Sequence, residues 1–239
     1  MKELSRLHSS SAILAALLLA LCVACSSVAQ AKVTGADIYE KTVKSTPLYA
    51  DPELEAYIKT LGEEIVAVSE MAGKKFTFTL LDDEALNAFA TRDNYIYVNR
   101  GLLNYVSNEA QLVSVLAHEV GHVTRGHVTG QEERMTGAKI LSTLAAVLSN
   151  SNEVYEATMA YANSMIQSHG RRNELEADET GAEYMAKLGY DPTEMLSMLS
   201  IMKDNESAQK KRAKGQGVSK PTYHGVFSSH PRKDARLRT

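Results

Sequence analysis

Cysteine is almost missing from this chain of 239 residues; the only two are Cys22 and Cys25, both near the start. A domain built from the remaining sequence holds no internal disulfide and offers no thiolate to a metal. Any metal site must therefore be assembled from His, Asp and Glu. An excess of positive charge is also absent. The formal net charge is −3, which leaves no electrostatic footprint for nucleic acid as a partner. One basic stretch exists, "KKRAKGQGVSK" at 210–220, and it reads as part of a solvated polar loop over 204–228. Beyond the N-terminal region no apolar run is long enough to span a bilayer, and no internal repeat is visible. With 44% hydrophobic residues the chain can build one sizeable core, and no composition shift marks a second one.

The N-terminal region does carry an apolar run. Lys2 and Arg6 precede 13 residues from Ala12 to Ala24, too short to cross a bilayer and followed by small residues, the pattern of a secretory signal. "CVAC", ending at Cys25, resembles a bacterial lipobox with Cys22 where Leu is usual. Removal of residues 1–24 would leave Cys25 as a lipidated first residue. "AQA", ending at Ala31, offers an alternative cut that releases a soluble protein. The place of Cys25 at the very end of the apolar run favours lipidation, and Ser26 after it is compatible with sorting to the outer membrane. The expectation is a periplasmic protein anchored to the outer membrane through its lipid only, with residues 25–34 as a tether and 35–239 as the working domain.

Hydrophobic spacing outlines that domain. "PELEAYIKTLGEEIVAVSEMA" (52–72) places Leu54, Ile58, Leu61, Ile65 and Val68 on one helical face after a proline-containing start. Alternation takes over in "KKFTFTLLDD" (74–83) and again in "DNYIYVNRG" (93–101), which read as strands, with "ALNAFAT" (85–91) a candidate third. Ser107 or Asn108 can cap the next helix, which runs through "EAQLVSVLAHEVGHVTRGH" to His127. "GAKILSTLAAVLSN" (137–150) reads as a buried core or hairpin helix. A long helical pattern follows from Asn152 to about Gly189, with a candidate break near Gly170, and a last helix spans 191–203 with Pro192 in its first turn. Helices around a small strand cluster give an α+β, mainly helical fold with a small β-sheet next to the central helix.

Within that central helix, "AHEVGH" carries the chemistry. His118 and His122 are four apart, so their imidazoles share a face and can converge on one ion, while Glu119 is rotated aside within reach of a water on that ion. A catalytic zinc takes three protein ligands and keeps a fourth position open for water. Without cysteine, the third ligand is a His or a carboxylate. "RRNELEADETG" (171–181) supplies Glu174, Glu176, Asp178 and Glu179, and spacing alone does not choose among them. Glu174 and Asp178 share a helical face, so one can ligate while the other holds a ligand histidine through its second ring nitrogen.

Three segments in order, "LAHEVGHVTRGH", "NELEADETG" and "SSHPRKDAR", resemble peptidase family M48, zinc metallopeptidases, in its soluble or lipoprotein bacterial branch. "NAFATRDNYIYVNRGLL" (87–103) is similar to the strand segment that precedes the family's active-site helix, although Arg92, Asp93 and Asn94 stand where a Pro/Gly-rich turn is frequent. The resemblance implies a zincin-like domain holding one Zn²⁺ per chain on His118, His122 and Glu174, with Asp178 supporting a ligand. It implies Glu119 as the general base. It places the family's H-P-x-x-x-x-R segment on His230, Pro231 and Arg236, making His230 a second catalytic candidate that polarises the substrate carbonyl or caps the metal. His127 and His224 also echo family positions and read as structural.

The implied function is zinc-dependent endopeptidase action on unfolded or misassembled cell-envelope proteins. Zinc lowers the pKa of a bound water from about 15.7 towards about 7, and Glu119 takes its proton. The alternative is a latent metal-binding chaperone or assembly factor for outer-membrane proteins, held silent by His230. A zinc hydrolase acting on another acyl substrate uses the same chemistry.

Overall fold

The computed structural model describes residues 33–149 and 151–215. Cys25, both candidate cleavage sites, His224, His230, Pro231 and Arg236 lie outside the described residues. Helix α1 covers Gly35–Ser45 and α2 covers Pro52–Ala67. Asp51 starts α2, its side chain accepting a hydrogen bond from the Leu54 backbone N–H (3.0 Å), and Pro52 sits in the first turn, where a missing N–H costs no helical bond. Ile58, Leu61 and Ile65 are buried as their spacing requires. The helix stops at Ala67, short of the 72 expected, where Ser69 Oγ donates to the Val66 carbonyl (2.8 Å) and turns the chain.

Strands β1 (Thr77–Leu81), β2 (Ala88–Thr91) and β3 (Tyr95–Asn99) form one sheet in the order β1-β3-β2. The central strand β3 runs parallel to β1 and antiparallel to β2, leaving β2 at an edge. Ile96, Tyr97 and Val98 on β3 have no exposed surface. The turn between β2 and β3 needs no glycine. Asp93 and Asn94 take φ of 59° and 64°, the left-handed region that these two residues tolerate best after Gly, and the Asn94 amide donates to the Lys75 carbonyl (3.1 Å).

A single turn, α3 (Arg100–Leu103), leads to α4 (Glu109–Thr124). Asn108 caps α4 by accepting from the Gln111 N–H (2.9 Å). The helix ends at Thr124 rather than running to His127, because Gly126 adopts φ 69° and its N–H returns to the Val123 carbonyl (3.0 Å). Three helices follow: α5 (His127–Ser149), α6 (Asn152–Lys187) and α7 (Glu194–Gly215). Every residue of α4 from Gln111 to His122 is buried, since α2, α6, α7 and β2 all pack against it. The result is an α+β, mainly helical domain with its small sheet beside the central helix.

Three expectations need correcting. α5 is an arm of a hairpin with α6 but not a core helix: Ile140, Val147 and Leu148 are 65%, 71% and 79% exposed, because α6 covers only one of its faces. α6 continues through Gly170 without a break; a glycine in a helix interior costs only about 1 kcal/mol, which 36 residues of helix absorb. The last helix starts at Glu194 and extends through 204–215, which composition marked as loop. That stretch, "DNESAQKKRAKG", is rich in good helix formers but has no apolar face, so periodicity gave no signal. No helix among the described residues is long and apolar enough to cross a membrane.

Candidate metal centre

Two helices bring the site together. α4 supplies His118, Glu119 and His122 from consecutive turns, and α6 crosses it with Glu174 and Asp178 on the face turned inward. Glycines allow the crossing to be close. A Cβ on Gly121 would lie 3.0 Å from the Ala177 carbonyl oxygen, so at that level the helices meet backbone to backbone. The three candidate ligands are deeply buried, His118 and His122 at 7% exposure and Glu174 at 3%.

His118 Nε2 and His122 Nε2 are 3.0 Å apart, His122 Nε2 is 3.3 Å from Glu174 Oε1, and His118 Nε2 is 3.6 Å from Glu174 Oε2. All three residues offer ligand atoms within 4.8 Å of one another. Four-coordinate zinc, with ligands about 2.0–2.2 Å away, separates neighbouring donor atoms by roughly 3.4 Å. The observed spacings bracket that figure, so the donor set fits such an ion in both chemistry and size. Hydrogen bonding supports the same orientation. His118 Nδ1 lies 2.9 Å from Asp178 Oδ1; donation there puts the ring proton on Nδ1 and leaves Nε2 a lone pair facing Glu174 and His122.

Glu119, 2% exposed, lies beside this cluster. Together with His118 and Asp178 it lines a half-open pocket whose remaining wall is mainly apolar and includes Val115, Met195, Met198 and Met202. Ala88, the first residue of edge strand β2, borders the same cavity. The cluster thus stands between the Glu119 carboxylate and a pocket with a mainly apolar wall.

The structure also places His127, which the sequence reads as structural, and Glu176, one of its four candidate carboxylates, beside this cluster. His127 Nδ1 is 3.1 Å from His122 Nδ1, and His127 Nε2 is 3.1 Å from Glu176 Oε2. Burial holds the His127 imidazole below the ordinary histidine range, against the upward pull of the Glu176 carboxylate. Gly126, whose left-handed turn starts α5, carries the chain back towards His122.

Fold and cluster together define a mainly helical α+β domain with a buried candidate metal site. Residues 52–239 match peptidase family M48, and the chain belongs to that family. It is 32% identical over 211 residues to the β-barrel assembly-enhancing protease of Yersinia pestis, covering 84% of this chain and 41% of that protein. The β-barrel assembly-enhancing protease of Escherichia coli (strain K12) is 30% identical over 211 residues, with the same 84% and 41% coverage. The mitochondrial metalloendopeptidase OMA1 of Arabidopsis thaliana is 31% identical over 132 residues, 53% of this chain and 25% of that one. The chain therefore spans about two fifths of the length of the bacterial relatives described.

Proposed function

We propose that this chain is a zinc-dependent endopeptidase that cuts unfolded or misassembled proteins of the bacterial cell envelope. The observation that carries the proposal is the spacing of three buried donors at 3.0, 3.3 and 3.6 Å beside the Glu119 carboxylate and an apolar cavity. His118, His122 and Glu174 would hold Zn²⁺, which when bound supplies an acidified water and a polarised scissile carbonyl. Glu119 would accept a proton from the attacking water and hand it to the leaving amine. Asp178 keeps His118 in the ligating tautomer. Edge strand β2 offers backbone groups on its free side, so an extended substrate can add to the sheet as a strand while one of its side chains enters the cavity. Backbone pairing of that kind reads extension, not sequence, which supports unfolded chains as the substrate class. His230, in the C-terminal segment, completes the proposal as a group that polarises the substrate carbonyl.

The names of the bacterial relatives support a role in the assembly of β-barrel proteins, and the N-terminal signal with Cys25 supports lipid anchoring at the periplasmic face of the outer membrane. Purified wild type and Glu119→Gln, each loaded with zinc, test the enzymatic core. The variant is expected to keep its metal and to lose about 10²–10⁴-fold in cleavage of an unfolded β-barrel protein. Cleavage by Glu119→Gln at the wild-type rate, or equal cleavage of the folded and unfolded substrate by the wild type, would refute the proposal.

A further inference from the structure

The two histidines of the cluster are supported differently. Asp178 bonds directly to the outer nitrogen of His118, whereas the outer nitrogen of His122 faces the imidazole of His127. We infer that His127 and Glu176 form a relay that positions His122, with Glu176 setting the tautomer of His127 and His127 setting that of His122. The inference rests on the metal-site assignment proposed above and extends it to two residues outside the ligand set.

Proton counting leaves one consistent arrangement. If His122 Nε2 keeps its lone pair for the cluster, its ring proton is on Nδ1 and must be donated. The atom opposite, 3.1 Å away, is His127 Nδ1, which must then accept. The proton of a neutral His127 is thereby placed on Nε2, and the atom opposite that nitrogen, also 3.1 Å away, is Glu176 Oε2, an acceptor. Had His127 carried its proton on Nδ1, two donors would face each other across the first contact and two acceptors across the second. A carboxylate at the far end therefore fixes the whole chain: Glu176 accepts, His127 passes the constraint on, and His122 aims its lone pair at His118 and Glu174.

Burial and backbone geometry agree with a fitted contact. His127 is 7% exposed although it opens a helix, and burying an imidazole without partners on both nitrogens is costly. Its ring stands at 72° to that of His122 with centroids 5.0 Å apart, an edge-on approach that lets Nδ1 face Nδ1. The approach depends on the turn at Gly126 (φ 69°), which ends α4 and starts α5 within three residues. Glu176, with a side chain 51% exposed, anchors the relay at the solvent side. As a ligand candidate it is excluded by the same geometry, since the His127 ring stands between its carboxylate and His122.

Zinc affinity, measured by competition with a chelating dye on the full chain, together with the melting temperature of the metal-free protein, tests the relay. His127→Leu removes the acceptor and is expected to weaken zinc binding about 10–100-fold. His127→Asn, whose Oδ1 can overlie the imidazole Nδ1, is expected to restore most of that loss, and Glu176→Gln to fall between them. A fully folded His127→Leu protein with wild-type zinc affinity would overturn the inference. So would wild-type zinc affinity in Glu176→Gln if His127→Leu fails to fold. Glu174→Ala is the control: loss of zinc there with none in His127→Leu sinks the relay alone, whereas zinc retained in Glu174→Ala sinks the metal site beneath it.

Discussion

A Cβ on Gly181 of α6 would stand 3.0 Å from the backbone nitrogen of His118 on α4. At that level α6, which carries Glu174, packs directly on the backbone of α4, which carries His118 and His122. The same Cβ would lie 2.9 Å from Met195 Cε. Gly181→Val should push α6 away from α4, costing roughly 1–3 kcal/mol by overpacking and widening the gap between His118 and Glu174. Urea denaturation and zinc titration should both register the change. Gly137→Ala is the contrasting case, because nothing lies within 4 Å of its Cβ position on α5. That variant should gain about 0.5–1 kcal/mol from helix propensity and leave zinc affinity unchanged. Equal responses of the two variants would show that Gly181 does not set the helix separation.

Asp178→Asn removes charge but little volume from the partner of His118. The 2.9 Å contact to Nδ1 survives only if the amide oxygen turns towards it, and the negative charge that raises the basicity of the ligand is lost. Zinc affinity is expected to fall about 10–100-fold with the fold intact by circular dichroism. Glu174→Ala, by contrast, should lose the metal outright. Unaltered affinity in Asp178→Asn would mean that packing alone orients His118.

Spacing along the chain tells what shares a face of one element, and where a placement depends on that alone the sequence is sufficient. His118 and His122 on α4, or Ile58, Leu61 and Ile65 on α2, needed no tertiary information. What spacing does not carry is which faces meet. Spacing leaves Glu174, Glu176, Asp178 and Glu179 open; the resemblance points to Glu174, and the crossing of α6 over α4 puts Glu174 beside both imidazoles and Glu176 beyond His127. Apolar content misled for the same reason: Leu144, Val147 and Leu148 look like core, yet α5 has a neighbour on one side only. Residues 204–215 escaped detection because a helix that is polar all round leaves no periodic trace.

A cluster of titrating groups joins α2, the start of α4 and the segment before α7. Glu109 accepts hydrogen bonds from Tyr190 Oη (2.6 Å) and from Tyr57 Oη. These bonds hold the Glu109 carboxyl below its ordinary value and push both tyrosines up to about 12. Tyrosines with raised values stabilise the fold fully below their unfolded pKa near 10 and lose that contribution as pH climbs towards 12; Glu109 contributes above its unfolded value near 4.5 and loses its share as pH falls. The difference in melting temperature between wild type and Glu109→Ala should therefore be flat from about pH 6 to 9 and shrink on either side. The effect is small because Glu109 and Tyr57 are exposed. A difference that stays constant from about pH 4 to 11.5 would contradict the assignment.

The cavity beside Glu119 should decide which substrates are cut fastest. Its wall is formed largely by Met195, Met198 and Met202 of α7 facing Val115 of α4, and methionine walls adapt to apolar guests of irregular shape. Peptides with Leu, Met or Phe next to the scissile bond should be preferred over those with Ala, because each buried methylene is worth about 0.8 kcal/mol. Met202→Phe narrows the space from the α7 side without touching His118, Glu119 or Asp178. The ratio of kcat/KM for a Leu peptide over an Ala peptide should drop roughly tenfold in that variant, at unchanged zinc content. A ratio that does not move would place the side-chain pocket elsewhere along β2.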